Sequence, residues 1–314
     1  MIKKLLTTAV VAVGVAGGAY AQEAKTIGVS IPAADHGWTA GVVYHAERVA
    51  GLIKAEYPDA NVIVKTSPDP ASQANAIQDL AVQGLDALVI LPTDPDPLVN
   101  AIKQVKDKGT FVTIVDRAPS VNDDSVRDLY VAGNNPALGE VAGEYIKANT
   151  PDAKVVVIRG LPIPIDQQRQ DGFDKGIEGS NIEVLDRQYG NWNRDDAFKV
   201  MQDFLTKYNQ IDVVWCQDDD MAVGVLQAIE QSGRTDIKYV IGGAGSKDMI
   251  KRVMDGDKMI PVDVLYPPAM VGTAMQLTAA ALYSQVPVAG TYTLDATLVT
   301  PENAENYYFP DSPF

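Results

Sequence analysis

The sequence predicts an α/β protein of two doubly wound domains, each a parallel sheet covered by helices on both faces. Three observations lead there. Short apolar runs alternate with longer amphipathic stretches along most of the chain. The runs are apolar throughout rather than at every second residue, as strands buried on both faces must be. A chain of 314 residues also exceeds what one hydrophobic core usually organises, so two domains are expected.

Strands are expected at 26–31, 61–66, 87–91, 111–115, 154–158, 183–186, 213–216, 239–241 and 260–265. Helical patterns lie between them at 38–56, 71–83, 97–108, 136–149, 194–207 and 221–232. A strand followed each time by a helix is the sequence form of a parallel sheet. The halves also echo each other. Gly84-Leu85-Asp86-Ala87-Leu88-Val89-Ile90-Leu91-Pro92-Thr93-Asp94 resembles Gln210-Ile211-Asp212-Val213-Val214-Trp215-Cys216-Gln217-Asp218-Asp219-Asp220. In both, an Ile/Leu-Asp pair leads into a buried strand and acids follow it. Pro97 and Met221 then open helices, and Asp94, Asp219 and Asp220 read as capping acids.

The first 21 residues read as an export leader. Lys3 and Lys4 precede an apolar, Gly- and Ala-rich stretch, and Ala19-Tyr20-Ala21 offers the small residues a signal peptidase needs. The run is too short for a membrane anchor, and no cysteine follows it to carry a lipid. Cleavage after Ala21 would release a periplasmic chain beginning at Gln22. A formal charge of −15 repels nucleic acid and anionic lipid, which argues against both as partners. Cys216 is the one cysteine, so no intramolecular disulfide forms; within Val213-Val214-Trp215-Cys216 it reads as a buried, inert thiol.

Ligands of open parallel sheets bind beyond the carboxyl ends of the strands. The candidates there are Asp35-His36-Gly37-Trp38, Asp116-Arg117, Arg169, Trp192 and Asp218. Their chemistry suits a carbohydrate: carboxylates accept from hydroxyls, guanidinium forks donate to them, and indole faces pack on C–H faces. The set lacks a nucleophile–base pair and a metal cluster, and no cofactor is expected. His36 and His45 are poorly spaced for a metal, with His45 read as a surface or boundary residue of the first helix. Gly242-Gly243-Ala244-Gly245 has neither the dinucleotide nor the Walker spacing, so a nucleotide is rejected. Plainer roles exist for each residue: Trp38 as helix-start core, Trp192 as a loop anchor, the arginines as surface ion-pair partners. Their place beyond apolar strands favours the cleft.

The signposts Asp35-His36-Gly37-Trp38, Val115-Asp116-Arg117, Gly133-Asn134-Asn135-Pro136, Gln168-Arg169-Gln170-Asp171-Gly172-Phe173, Trp192-Asn193-Arg194 and Gln217-Asp218-Asp219-Asp220-Met221-Ala222 occur in the order of a known family. Over essentially all of the mature chain the sequence resembles the ribose-type, cluster-B periplasmic binding proteins of ABC transporters. The resemblance implies the type I binding-protein fold, with lobes 22–132 plus 264–292 and 133–263 plus 293–314. Their three-crossing hinge would lie near 131–134, 261–265 and 291–295. It also implies that Trp38 and Trp192 sandwich the ligand, that Asp116 and Arg117 bind hydroxyls from one lobe, and that Arg169 and Asp218 do so from the other. His36 or Asp35 stands where the family has an asparagine, and Asp218 replaces another. Ala244 stands where ribose-type proteins carry a carboxylate.

These departures, with Gly190-Asn191-Trp192-Asn193-Arg194-Asp195-Asp196, Tyr266-Pro267-Pro268, Val299-Thr300-Pro301-Glu302-Asn303-Ala304 and Phe309-Pro310-Asp311-Ser312-Pro313-Phe314, resemble a sugar-alcohol-binding subgroup. An acyclic polyol is therefore the expected ligand, with an aldose as the alternative. Asp263 is open between supplying the missing carboxylate and a structural role at the crossing. The implied partners are permease subunits and, further, a chemoreceptor; the chain is expected to be a monomer and no enzyme. Two other classes compete. A repressor with this core would begin with a basic helix-turn-helix, and an exported glycoside hydrolase would use a pair of aspartates as its acids.

Overall fold

The computed structural model describes residues 24–283 and 287–314. The expected leader, 1–21, lies outside the described residues. The first lobe opens with β1 (Thr26–Pro32), α1 (Gly37–Glu56), β2 (Asn61–Ser67), α2 (Pro70–Val82), β3 (Ala87–Ile90), α3 (Pro95–Lys106), β4 (Phe111–Val115) and β5 (Leu129–Gly133). The second follows with α4 (Asn135–Asn149), β6 (Lys154–Arg159), α5 (Pro164–Gly176), β7 (Glu183–Tyr189), α6 (Arg194–Lys207), β8 (Val213–Cys216), α7 (Asp219–Ser232), β9 (Tyr239–Ile241) and α8 (Lys247–Met254). After β10 (Asp263–Val264), the chain rejoins the first lobe through α9 (Met270–Tyr283) and β11 (Gly290–Leu294). β12 (Leu298–Val299) and a 3-10 turn at Ala304–Tyr307 then return to the second.

The first sheet runs β11-β5-β4-β3-β1-β2 and the second β7-β6-β8-β9, every pairing parallel. The echo in the sequence has a structural meaning. β3 follows β1 in one sheet as β8 follows β6 in the other, so the two similar segments hold the same place in each lobe. Parallel strands aligned this way bring all their carboxyl ends to one edge, and the two edges face each other.

The 260–265 strand is reduced to β10, which pairs antiparallel with β12 and, through Leu265, bridges to Ala244. The short segment lies at a crossing, where it has no sheet of its own to extend. One apolar cluster runs from β1 through Val262, Val264 and Tyr266 into β6 and β8, so the core is continuous across the crossings. The pattern reading named neither β5 nor β11 as strands, nor α5, α8 and α9 as helices. β11 is almost wholly exposed at the sheet edge, and small residues dilute the periodic contrast of α9. Among the described residues no helix is long and apolar enough to cross a membrane.

Candidate functional site

His36, Trp38, Asp116, Arg117, Arg169, Trp192 and Asp218 all line one small cavity between the lobes. Asp35 and Asp263 do not line it. Ile165, Ala244 and Tyr266 complete the wall.

The first lobe's wall is assembled where β1 and β4 end. His36 caps α1, and its backbone N–H donates to Thr39 Oγ1 at 3.2 Å. Asp35 stands outside, its side chain 71% exposed, and accepts from His36 Nδ1 at 2.7 Å and from Thr39 Oγ1 at 2.8 Å. The bond to His36 holds the Asp35 carboxyl down at about 2. With Nδ1 donating to a carboxylate, Nε2 of a neutral ring is an acceptor. Asp35 therefore orients the imidazole rather than facing the cavity. Trp38 is anchored by its Nε1, which donates to the Tyr266 carbonyl at 3.0 Å. Arg117 Nη1 donates to the carbonyls of Thr93 at 2.9 Å and Pro92 at 3.3 Å. Its Nε has no hydrogen-bond partner among the described residues and lies 3.9 Å from Asp116 Oδ2.

The second wall needs close backbone approaches. Arg169 is on α5, not in a loop directly after a strand as its candidacy assumed. α5 is drawn against α4 by glycines: a Cβ on Gly139 would sit 1.8 Å from the Arg169 carbonyl oxygen, and one on Gly172 1.9 Å from that of Pro136. This packing aims Arg169 inward, where Nε donates to Asn135 Oδ1 at 2.8 Å and Nη1 to the Gln217 carbonyl at 2.7 Å. Trp192 lies against Gly160, whose Cβ would meet the indole at 2.0 Å. Arg117 from one lobe and Arg169 from the other each stand 5.8 Å from the Trp192 ring centre.

Backbone strain concentrates here. The non-glycine residues with positive φ are Asp116 (60°), Asn191 (56°), Trp192 (52°) and Ala244 (102°) among the described residues. All but Asn191 line the cavity. Such conformations persist only when surroundings over-determine them, and they gather at binding sites.

The acids after β8 divide their work differently from the capping expectation. Asp218 is the cap of α7, accepting from the Met221 N–H at 2.9 Å, and it also faces the cavity. Burial, and then the charge of Asp220, push its carboxyl up to about 6. Asp219 is no cap; it ties down the loop after β9 by accepting from Gly243 N–H at 2.8 Å and Ser246 N–H at 2.6 Å. Asp220 reaches into the first lobe and accepts from the Gly37 N–H at 2.7 Å. Asp94 does stand at the cap of α3, without a side-chain capping bond. Asp263 is buried behind the cavity, where its Oδ2 accepts from Gly245 N–H at 3.1 Å, and burial raises it to about 7.

His45 is buried on α1 rather than at the surface, and burial lowers its pKa. Cys216 is a buried free thiol whose pKa burial drives upward, which keeps it unreactive. Among the described residues no group of His, Cys, Asp or Glu side chains is placed to hold a metal ion. Tyr266 was legible only as part of a motif; no periodicity or spacing pointed to its place in the wall.

The sequence profile described as a periplasmic binding protein domain matches residues 27–285. The chain belongs to the periplasmic binding protein family. It is 32% identical over 197 residues to a ribose import binding protein of Salmonella typhimurium, an alignment spanning 62% of this chain and 65% of that relative. A xylitol-binding protein of Mycolicibacterium smegmatis is 30% identical over 200 residues, covering 60% of this chain and 54% of its own. Among solved structures, an ABC transporter solute-binding protein from Mycobacterium smegmatis with bound glycerol superposes with a TM-score of 0.80 at 26% identity, over 92% of this chain and 98% of that one. The two-lobed parallel-sheet architecture described above is that of this binding-protein family.

Proposed function

We propose that this protein is the periplasmic solute-binding component of an ABC transporter, and that it captures an acyclic sugar alcohol between its lobes. The observation that carries the reading is the composition of the cavity wall. Indoles come from opposite lobes, and carboxylates and guanidinium groups lie between them. That combination binds hydroxyls and C–H faces. A binder rather than an enzyme is the consistent reading. A polyol is favoured over a ring sugar because Ala244 brings no carboxylate to the wall. The likeness to a xylitol-binding protein and to a glycerol-bound structure supports it. The likeness to a ribose import binding protein favours an aldose as the second reading.

In this account the leader 1–21 is removed on export, and lobes 22–132 plus 264–292 and 133–263 plus 293–314 rotate about the three crossings. Ligand touching both walls favours the closed state, which docks on the permease as a monomer and can also engage a chemoreceptor. A thermal-shift panel of pentitols, hexitols and aldoses tests the class, since a ligand of the folded form raises the melting temperature. Polyols should give the largest shifts. Shifts from aldoses with none from polyols would hand the site to the second reading.

A further inference from the structure

We propose that Tyr266 sets the ligand specificity of the cavity by taking one of the acceptor sites on Asp116 Oδ1, so that each lobe offers the ligand a single fully free carboxylate oxygen. The ligand classes compared rest on the polyol reading above; the geometry does not. Tyr266 lies between β10 and α9, at a chain crossing, and is buried against the cavity. Its ring has room only because residue 133 is glycine, where a Cβ would fall 2.1 Å from it.

The hydroxyl of Tyr266 donates to Asp116 Oδ1 and accepts from Asn135 Nδ2 at 2.9 Å. Asn135 Oδ1 accepts in turn from Arg169, which donates onward to the Gln217 carbonyl. One chain of hydrogen bonds thus runs from Asp116 in the first lobe to Gln217 in the second, with Tyr266 at the crossing. Arg169 also stands 4.5 Å from the Tyr266 ring centre. Every member of the chain is buried. The protein alone completes this chain, so no ligand hydroxyl is needed to satisfy it.

Acceptor capacity follows from what is already spent. Asp116 keeps Oδ2, which faces Arg117. Asp218 has given Oδ1 to the Met221 N–H and keeps the other oxygen. Ala244 supplies none. Neither carboxylate has both oxygens fully free to take neighbouring hydroxyls one on each, because one oxygen of each already accepts from the protein. A ring sugar presents such neighbours at fixed angles and gains most from that pairing. An open chain can turn its hydroxyls to meet single oxygens on opposite walls, at a cost in frozen torsions. Tyr266 thereby penalises the ring more than the chain.

Tyr266→Phe keeps the ring and frees Asp116 Oδ1. Calorimetric titration of the wild-type protein and this variant with xylitol and with D-ribose gives the ratio of the two dissociation constants in each. The expected result is a shift of that ratio towards ribose by about fivefold or more, as restored pairing of a buried acceptor implies. A smaller shift, including equal weakening of both ligands, would overturn the proposal. If melting curves show that Y266F is not folded, Tyr266→Met, which also lacks the hydroxyl, is scored by the same ratio. Which ligand the wild type prefers tests the polyol reading separately, because the change in ratio is informative whichever it is.

Discussion

Away from the crossings, the lobes touch at the cavity and at one flank, and these two contacts are built on different terms. At the cavity, Arg117 Nε and Trp192 Nε1 are buried with no hydrogen-bond partner among the described residues, and the backbone is strained. At the flank, Asp220 accepts from the Gly37 N–H at 2.7 Å and from Arg194 Nη2 at 3.2 Å. The carboxylate sits at the start of α1, where the helix dipole favours it. A Cβ on Gly37 would fall 2.6 Å from that carboxylate and 2.8 Å from the Phe314 ring, so glycine is what allows the approach. Lys247 ties the Phe314 segment to the second lobe by donating to the Ser312 carbonyl at 2.8 Å. The flank is satisfied by protein alone; the cavity is not. The cavity should therefore decide which ligand is held, and the flank how strongly the lobes stay together whatever the ligand.

Substitutions at each place separate these roles. Trp192→Ala should weaken polyol binding by about 1–3 kcal/mol and change the ranking among ligands, since it removes a buried aromatic surface from the cavity. Calorimetry across the ligand panel checks both parts; unchanged affinity would make Trp192 a loop anchor only. Asp220→Ala should cost about 1 kcal/mol, and equally for every ligand, because it lowers the population of the closed form. Stopped-flow measurements should place that loss in faster dissociation. A ligand-dependent loss would show that the flank also reads the ligand.

A separate effect, on stability rather than affinity, belongs to the acids behind and within the wall. Burial raises Asp263 to about 7 and Asp218 to about 6, against an ordinary 3.8. Between about pH 4 and 7 the folded chain holds protons there that the unfolded chain releases. Their contribution to stability is therefore present at the acidic end of that window and lost as pH rises through it. Asp35, held at about 2, acts in the opposite sense: its contribution is present above its ordinary value of 3.8 and is lost as pH falls from there towards 2. Asp219, raised by burial and by Asp263, acts in the same sense as Asp263 and Asp218, whereas His45, whose pKa burial lowers, acts in the opposite sense below 6.5. Asp263→Asn should therefore make the melting temperature of the ligand-free protein fall less, or rise more, from pH 4 to 7 than in the wild type. An identical slope in that variant would remove Asp263 from the account.

Much of this architecture was legible in the sequence, because apolar runs buried on both faces and the acids after them announce parallel strand ends. Asp116, Arg117 and Asp218 stand directly beyond such runs, and their positions followed. Arg169 was picked as a residue beyond a strand end, but its helix was not foreseen. Pro164-Ile165-Asp166-Gln167-Gln168-Arg169-Gln170-Asp171-Gly172-Phe173 carries no apolar stripe, and close glycine contacts with α4 hold it instead. The division of work among Asp218, Asp219 and Asp220 could not be read either, since it depends on Gly243, Ser246 and Gly37 elsewhere in the chain. Tyr266 escaped for the same reason: its partner Asp116 is 150 positions away.

The central claim is that the paired walls hold an open-chain polyol. Calorimetric titration of the wild-type protein with xylitol and D-ribose, under one buffer at pH 7.5, tests it most directly. The account predicts saturable binding of xylitol with a lower Kd than ribose. Tighter binding of ribose, or ribose binding with no heat from any pentitol or hexitol, would contradict it.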